Sequence, residues 1–375
     1  MQALTVSPPK PLPPPPASPR PPLAAGAIAL FAGNGALGNG TSAVGGAALD
    51  TALNSNQTLA VDAAGNVFLA QYYANVIFKI DVRGVITRFA GAGATACNGP
   101  NACFSGDGGP ADQAKLFGPV GMTFDDAGAL VFVDDQNARI RKVDAQGVIT
   151  TVAGNGEKTF RDGLAPSASF HDPDDVVADG VGALYVTDYY NSRVRKVAAG
   201  RVSTIAGGGG DRNSGDGGPA AAASVATPTG IALGLDGALY VSSLHHHVVR
   251  RIKDGVISTF AGTGQPGFGG DGGPASAARI KNPNGLAVDR DGNVYVAEMG
   301  DELVFADASN GGDRVRRIDR NGVITTVAGD GADAYDDGGG RALAASFQAH
   351  GIAIDRWNNL FIADPFHRRV LRVQL

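Results

Sequence analysis

One repeated unit constrains this chain more than any other feature of its sequence. The pattern Ala-Gly-x-Gly occurs six times, and successive copies lie between 53 and 67 residues apart. A recurrence of this length is typical of repeat arrays, in which each copy is one supersecondary unit that buries its apolar face against its neighbours. The six copies begin at Ala32, Ala90, Ala153, Ala206, Ala261 and Ala328.

Within a unit the sequence predicts four short β-strands. Stretches rich in β-branched and aromatic residues alternate with Asp-Gly and Asn-Gly turn signals, and the chain contains 55 glycines, which suits many tight turns. Four antiparallel strands in each unit predict either an open solenoid or a closed propeller. In the third unit the predicted strands are Asp175–Asp179, Leu184–Thr187, Arg193–Val197 and Val202–Ala206.

The two ends of the chain decide between these architectures. The last unit supplies only three strands before Leu375, whereas Ala27–Gly35 has the character of a fourth strand with no unit of its own. A closed ring explains both, since the N-terminal strand completes the C-terminal blade and removes an exposed sheet edge. We therefore predict an all-β fold, a single six-bladed β-propeller of four-stranded antiparallel blades over residues 27–375.

Residues 1–26 are predicted to be a disordered, proline-rich tether, because proline-rich segments form extended, solvated chains. Such tethers often follow a removed export signal, so we expect an extracellular or periplasmic protein. Cys97 and Cys103 lie in one loop rich in glycine and asparagine, where a local disulfide is expected and two free thiols are the alternative.

Charge and hydropathy argue against nucleic-acid binding and against a membrane-spanning helix. The net charge of −5 offers no basic face for a nucleic acid. No run of 18 apolar residues occurs, so no membrane-spanning helix is predicted. We expect a monomer.

Several stretches resemble known repeats. GLAVDRDGNVYVAE (285–298), LYVTDYYNSRVRKV (184–197) and GVITTVAGNG (147–156) resemble NHL repeats, in particular the bacterial form with GDGGPA linkers. The resemblance covers the chain from Ala27 onward. It implies a six-bladed propeller that binds proteins, RNA or small molecules, and a few relatives of this propeller are lyases or metal-dependent hydrolases. The fold alone does not choose among these functions.

Two repeated devices are predicted to belong to the scaffold. In the GDGGPA linkers (106–111, 215–220 and 270–275) the aspartate is expected to cap a short helical turn that has proline at its first position. After the second strand, Asp134, Asn137 and Arg139 are expected to close the loop through charge-assisted hydrogen bonds. The same is expected of their counterparts in the third unit and of Asp364 and Arg369 in the last unit, where His367 stands at the asparagine position.

Three units depart from the second device, and we expect the site to lie where they do. Gln71 and Ser243 stand at the aspartate position, and the fifth unit inserts residues 299–313. Aromatic and imidazole groups on the loop face favour a protein, glycan or small-molecule ligand. The predicted ligand-binding residues are Tyr72, Tyr73, Tyr189, Tyr190, His245, His246, His247, Glu298 and His367.

A second hypothesis places a divalent metal, calcium or zinc, at the channel mouth. Imidazole, carboxylate and amide groups form a suitable ligand set, and the metal would polarise a carbonyl or activate water in a lactonase-like or amidating-lyase-like enzyme. His350 alone matches the channel-mouth histidines that resemblance to the amidating lyase implies, and no catalytic nucleophile is predicted. The predicted ligands are Asp174, His350, Asn284 and His171.

Overall fold

Each sequence unit folds into one sheet, because tight turns return the chain beside itself. At Asp125, for example, Oδ1 accepts hydrogen bonds from the backbone N–H groups of Ala127 at 3.0 Å and Ala129 at 2.9 Å, which closes the turn between two strands. In this computed structural model the six sheets are the blades of a propeller, as predicted. The structure describes residues 20–38, 45–54, 56–93, 103–208, 210, 212–300, 313–332 and 339–375, and of residues 56 and 57 the backbone only.

The four strands of a blade are called the inner, second, third and outer strands. The inner strands are Asn56–Val61, Pro119–Phe124, Pro173–Ala178, Pro228–Leu233, Pro283–Val288 and Ile352–Ile354. The second strands are Val67–Gln71, Leu130–Asp134, Leu184–Asp188, Leu239–Ser243, Val294–Glu298 and Asn359–Asp364. The third strands are Val76–Ile80, Arg139–Val143, Arg193–Ala198, Val248–Lys253, Arg314–Ile318 and Arg369–Gln374. The outer strands are Val85–Ala90, Ile149–Ala153, Arg201–Gly207, Val256–Ala261, Ile324–Ala328 and, for the last blade, Ala27–Ala32.

The N-terminal strand closes the ring, and this confirms the central prediction. Ala27–Ala32 pairs antiparallel with Arg369–Gln374, in a register that places Ile28 opposite Val373. The contact continues before the strand, because Arg372 Nη2 donates to the Pro21 carbonyl at 3.0 Å. The Arg20 guanidinium lies over the rings of Phe31 at 5.0 Å and Phe361 at 5.5 Å. Residues 20–26, which the sequence placed in the tether, therefore contact the blades, while residues 1–19 lie outside the described part.

The inner strands surround a channel so closely that three of them need glycine, at Gly121, Gly230 and Gly285. Neighbouring inner strands contact each other all round the ring, the last against the first. A Cβ at Gly121 would lie 2.4 Å from the Asp175 Cα, and one at Gly230 would lie 2.1 Å from the Asn284 carbonyl oxygen. The channel encloses a cavity of about 360 Å³ lined by residues of all six inner strands and their flanks, in which Asp175 is the one charged residue among those described.

The outer edge of every blade is covered by the linker that precedes it. Two-residue strands in three linkers pair with the outer strands of blades 1, 3 and 6, and single bridges do the same in blades 2, 4 and 5. Paired or covered edges do not invite association with another sheet. The two-residue strands are Gly46–Ala47, Gly163–Leu164 and Gly340–Arg341, and the bridges join Pro110 to Val148, Pro219 to Val256 and Pro274 to Val323.

The core consists of apolar layers between adjacent blades. In blade 3, Val186 packs toward blade 2 against Val133, whereas Val194 and Ile205 pack toward blade 4 against Leu239. Alternate side chains of a strand point to opposite faces of its sheet, so each blade contributes to two layers. The strand pattern of the sequence therefore places apolar residues on both faces.

The predicted role of the linker aspartates was wrong. The short turns after them are 3-10 helices whose N-caps are prolines, such as Pro110 and Pro274, with no side-chain capping hydrogen bond. Asp271 instead accepts a hydrogen bond from the Thr326 backbone N–H at 3.1 Å and pairs with Arg316 at 2.5 Å. The aspartate thus ties the linker to the third and outer strands.

Candidate functional site

The loops between second and third strands lie on one face of the propeller, where each is joined to the linker that enters its blade. Tyr190 N–H donates to the His171 carbonyl at 3.1 Å, and Gln136 N–H donates to the Phe117 carbonyl at 3.0 Å. These backbone bonds hold the side chains of loop and linker together around the channel mouth. This surface is called the loop face below.

Buried ion pairs under the loop face hold the loops in place. Arg195 is fully buried, and its Nη1 lies 2.5 Å from Asp188 Oδ2. In blade 2 the Arg141 Nη1–Asp134 Oδ2 distance is 3.0 Å. The prediction that Arg139 is the partner of Asp134 was wrong, because the arginine two residues later reaches the carboxylate while Arg139 stacks on a phenylalanine at 3.8 Å. In blade 6 the predicted pair is present, since Arg369 Nε lies 2.8 Å from Asp364 Oδ2.

Glu298 belongs to the same set of ion pairs, so its prediction as a ligand-binding residue is corrected. Its side chain has no exposed surface. Oε1 lies 3.1 Å from Arg316 Nη1, and Oε2 accepts a hydrogen bond from the Lys281 N–H at 3.1 Å. A ligand on the loop face has no access to this carboxylate.

Blades 1 and 4 keep the structural bond that they were predicted to have given up. In blade 2, Asp134 accepts a hydrogen bond from the linker N–H of Phe117 at 2.8 Å. Gln71 accepts the equivalent bond from Asn54 at 2.8 Å. In blade 4, Ser243 is too short, and Asn213 from the linker accepts from the Ala226 N–H at 3.1 Å. These departures are therefore compensated and do not by themselves indicate a site.

Exposed aromatic and imidazole side chains recur at one position of the loop face. In four of the six blades, the second residue after the second strand is an exposed aromatic or imidazole group. Tyr73 is 67% exposed, Tyr190 62% and Phe366 41%. These four residues, called the loop-face aromatics below, are Tyr73, Tyr190, His245 and Phe366. Gln136 and Gly300 stand at the same position in the other two blades.

Two further tyrosines pack against the loop-face aromatics. Tyr72 and Tyr73 meet edge to face with centroids 5.0 Å apart, and Tyr189 and Tyr190 meet likewise at 4.9 Å. The Tyr189 hydroxyl lies 3.1 Å from His245 Nε2, which joins blades 3 and 4. The structure thus brings five of the predicted residues together on one surface.

Four aspartates lie beside the tyrosines at the mouth of blades 2 and 3. Burial, and next the charges of Asp175, Asp135 and Asp172, raise the pKa of Asp174 to about 8. Burial also raises the pKa of Asp135 to about 7, with the charge of Asp172 adding to the shift. Burial raises the pKa of Asp175 to about 7 against the hydrogen bonds of two backbone amides. The ionised forms of these carboxyl groups are therefore disfavoured, and a proton or another cation is needed to offset their burial and mutual repulsion.

Comparisons with known proteins agree with this architecture. The Teneurin NHL domain model matches residues 89–170, and a beta-propeller repeat model matches residues 269–297. Mouse Teneurin-3 is 29% identical over 233 residues, which are 55% of this chain and 8% of the relative. The chain is an NHL-repeat β-propeller. It spans less than a tenth of the length of that teneurin, so the likeness concerns the propeller domain.

Solved structures show the fold of this NHL propeller in proteins of distant sequence. A structural genomics protein from Bacteroides thetaiotaomicron superposes with a TM-score of 0.64 at 19% identity, covering 92% of this chain and 75% of that one. An auxiliary nutrient binding protein from Bacteroides ovatus superposes with a TM-score of 0.63 at 15% identity, covering 92% and 76%. At these identities the likeness establishes the fold alone.

The other predicted histidines of the NHL propeller make contacts within the scaffold. His247 Nδ1 lies 3.2 Å from the backbone nitrogen of Asn282, and His246 Nδ1 lies 3.5 Å from Thr227 Oγ1. His367 Nδ1 lies 2.9 Å from Asp364 Oδ2, where blade 2 has Asn137. Their ring atoms therefore hold loops as well as border the loop face.

The four predicted metal ligands are divided between two sides of the mouth. Asn284 Nδ2 lies 3.3 Å from both ring nitrogens of His350, in adjacent blades. His171 and Asp174 belong to blade 3, which is opposite blade 6 in the ring. Over the described residues, no three His, Cys, Asp or Glu side chains are grouped to hold an ion. A metal here stays a prediction, and we derive no step through it; the fifth-blade insertion at 301–312 lies outside the described residues.

The acidic side of the mouth should reduce stability at alkaline pH. The pKa of Asp135, about 7 in the folded protein, lies above the value of about 3.9 expected in the unfolded chain. Stability is then lost as the pH rises from about 4 to 7, because the unfolded chain releases its proton first. At about 1.4 kcal/mol per pKa unit, Asp135→Asn should raise the unfolding free energy at pH 8 by on the order of 3 kcal/mol.

Urea denaturation at about pH 4 and at pH 8 measures this difference. We expect Asp135→Asn to change stability little at the acidic pH, where the native carboxyl is already protonated. An equal effect at both pH values, or a loss of stability at pH 8, would show that the carboxylate carries no burial penalty.

Proposed function

We propose that this NHL propeller is an exported binding module whose loop face, around the channel mouth, holds a protein, glycan or small-molecule ligand. The loop-face aromatics are the observation that carries the proposal. Large exposed aromatic side chains gathered on one face are typical of interaction surfaces, because they supply contact area at little cost in conformational entropy. Here they occupy one equivalent position in four blades, with scaffold hydrogen bonds beneath them.

One observation supports export. Cys103 is disulfide-bonded, and disulfides persist mainly in oxidising compartments such as the periplasm and the extracellular space. The other cysteine, Cys97, lies outside the described residues. No helix in the described part of the chain is long and apolar enough to cross a membrane.

Removing the two tyrosines among the loop-face aromatics should abolish most of the binding. Aromatic residues at the centre of an interface often contribute more than about 2 kcal/mol each, so Tyr73→Ala with Tyr190→Ala should weaken binding by more than about tenfold. The measurement is binding to printed panels of oligosaccharides, peptides and small metabolites, followed by titration of every ligand that the unaltered protein captures.

The matched control is Val181→Ala with Leu235→Ala. These residues are 61% and 42% exposed in turns between inner and second strands, on the face opposite the loop face. The control pair should leave binding unchanged, and both double variants should melt as the unaltered protein does. Ligands that bind the tyrosine variant as tightly as the unaltered protein would refute the loop face as the site.

A further inference from the structure

Three carboxyl groups at the mouth of blades 2 and 3 lie close enough for their ionised forms to repel one another. Asp174 interacts electrostatically with Asp135 and with Asp172. The Tyr72 hydroxyl lies 3.1 Å from Asp135 Oδ2, and Tyr189 lies within electrostatic reach of Asp174. Asp135, Asp172 and Asp174, with the walls formed by Tyr72 and Tyr189, are called the acidic mouth below.

The neighbouring Asp175 shows what a structural aspartate looks like at this place. Its Oδ1 accepts a hydrogen bond from Val176 N–H at 2.8 Å, and its Oδ2 accepts one from Ile231 N–H at 3.0 Å in the next blade. Both oxygens are therefore satisfied by backbone amides. Asp175 joins blades 3 and 4 and is not available to a ligand.

The carboxylates of the acidic mouth lack such partners. Asp135 is 8% exposed; its Oδ2 accepts from Tyr72 and Gln136, but its buried Oδ1 has no hydrogen-bond partner. No hydrogen bond or ion pair joins the Asp174 carboxylate to another residue in the described ranges. The Asp174 carboxyl is partly exposed, so a donor that arrives from outside can supply the partner that the fold does not.

One resident cation shows which chemistry fits. Lys158 Nζ lies 2.5 Å from Asp172 Oδ1 and donates to Gln136 Oε1 at 2.9 Å. This ammonium lies on a half-exposed side chain at the rim and pairs with one carboxylate of the three. A second ammonium or guanidinium group would find Asp174 as its acceptor and would favour the ionised forms of Asp174 and Asp135, and the tyrosine rings favour organic cations. A metal ion fits less well, since the described acidic side chains do not converge as ligands.

We propose that the acidic mouth binds an ammonium or guanidinium group of the ligand between Tyr72, Tyr189 and Asp174. The inference rests on the proposed function, because it names the chemical group that the loop face recognises. That group can come from a free amine or from a lysine or arginine side chain of a protein. In both cases the cation donates hydrogen bonds to Asp174, offsets the negative charge of the nearby Asp135 and lies against the tyrosine rings.

Calorimetric titration with three probes tests this proposal: 1,5-diaminopentane, the tripeptide acetyl-Ala-Lys-Ala-amide, and the same peptide acetylated on its lysine. The full chain should bind the diamine, the lysine peptide or both, and should bind the acetylated peptide at least about tenfold more weakly. Binding of the diamine alone indicates a small-molecule amine as the source, and preference for the peptide indicates a protein. Failure of both cationic probes, or equal binding of the acetylated peptide, overturns the proposal.

Variants separate a binding role from a structural one. Asp174→Asn should weaken the cationic probe by about tenfold or more, whereas Lys158→Ala should strengthen it by removing the competing ammonium. Asp172→Asn provides a second test if Asp174→Asn does not fold, with melting curves as the check. Unchanged affinity in a folded Asp174→Asn protein overturns the proposal. If a neutral ligand binds and is lost in the Tyr73 and Tyr190 variant while amines do not bind, the loop face stands and the acidic mouth does not.

Discussion

Deleting residues 27–35 is expected to unfold the propeller or make it aggregate. The deletion removes the outer strand of the last blade, including Ile28, which is buried in the layer beside Leu371. It also leaves the backbone of the third strand, Arg369–Gln374, without its partner, and unpaired edges invite association. We expect a loss of more than about 5 kcal/mol, which is comparable to the whole stability of many domains.

Thermal melting and light scattering of the truncated protein measure this effect. A synthetic peptide of residues 20–38 serves as the matched control, because strand addition should restore the missing pairing when it is supplied separately. We expect the peptide to raise the melting temperature of the truncated protein in a concentration-dependent manner. A truncated protein that melts with the full-length chain would contradict the closure.

Replacing Asp188 with alanine is expected to cost about 3–5 kcal/mol, as when one partner of a buried ion pair is removed. The carboxylate accepts from Arg195 at 2.5 Å, from Asn191 at 2.9 Å and from the His171 N–H at 2.8 Å. Without it, a fully buried guanidinium loses its buried partner and the linker loses its anchor. Urea denaturation followed by tryptophan fluorescence or circular dichroism gives the free energy of unfolding.

The matched control uses the other carboxylate that pairs with the same arginine. Asp162 lies 2.6 Å from Arg195 Nη2, but its side chain is 38% exposed. Exposed ion pairs contribute at most about 1 kcal/mol, so Asp162→Ala should cost much less than Asp188→Ala. Equal losses in the two variants would mean that burial does not determine the contribution of this network.

The fold could be predicted because its signals are local and repeated. Turn residues and alternating apolar residues define each strand, and the count of strands at the two ends of the chain predicts that Ala27–Ala32 completes the last blade. The exchange of Arg139 for Arg141 could not be predicted as easily, since residues two apart on a strand point to the same face. Only the depth of each side chain in the blade shows which one meets Asp134.

The candidate site was predicted less completely, because it depends on contacts between blades. Aligning the six loops on the last residue of the second strand would have added Phe366 to the predicted tyrosines. Asp135 carried no repeated pattern, since blades 1 and 3 have tyrosine at its position. Lys158 and Asp172 lie near opposite ends of the linker that enters blade 3, so no short spacing in the sequence indicates their ion pair. The role of Asn213 in blade 4 required knowing that Ser243 is too short to reach the linker.

Hydrogen exchange read by mass spectrometry tests the closed ring most directly, because slow exchange reports stable backbone hydrogen bonds. Peptides that cover Ala27–Ala32 should exchange as slowly as peptides that cover Arg369–Gln374, and both should lose protection at the same urea concentration. Fast exchange over Ala27–Ala32 beside a protected Arg369–Gln374 would contradict the ring and the arrangement of the six loops around one mouth.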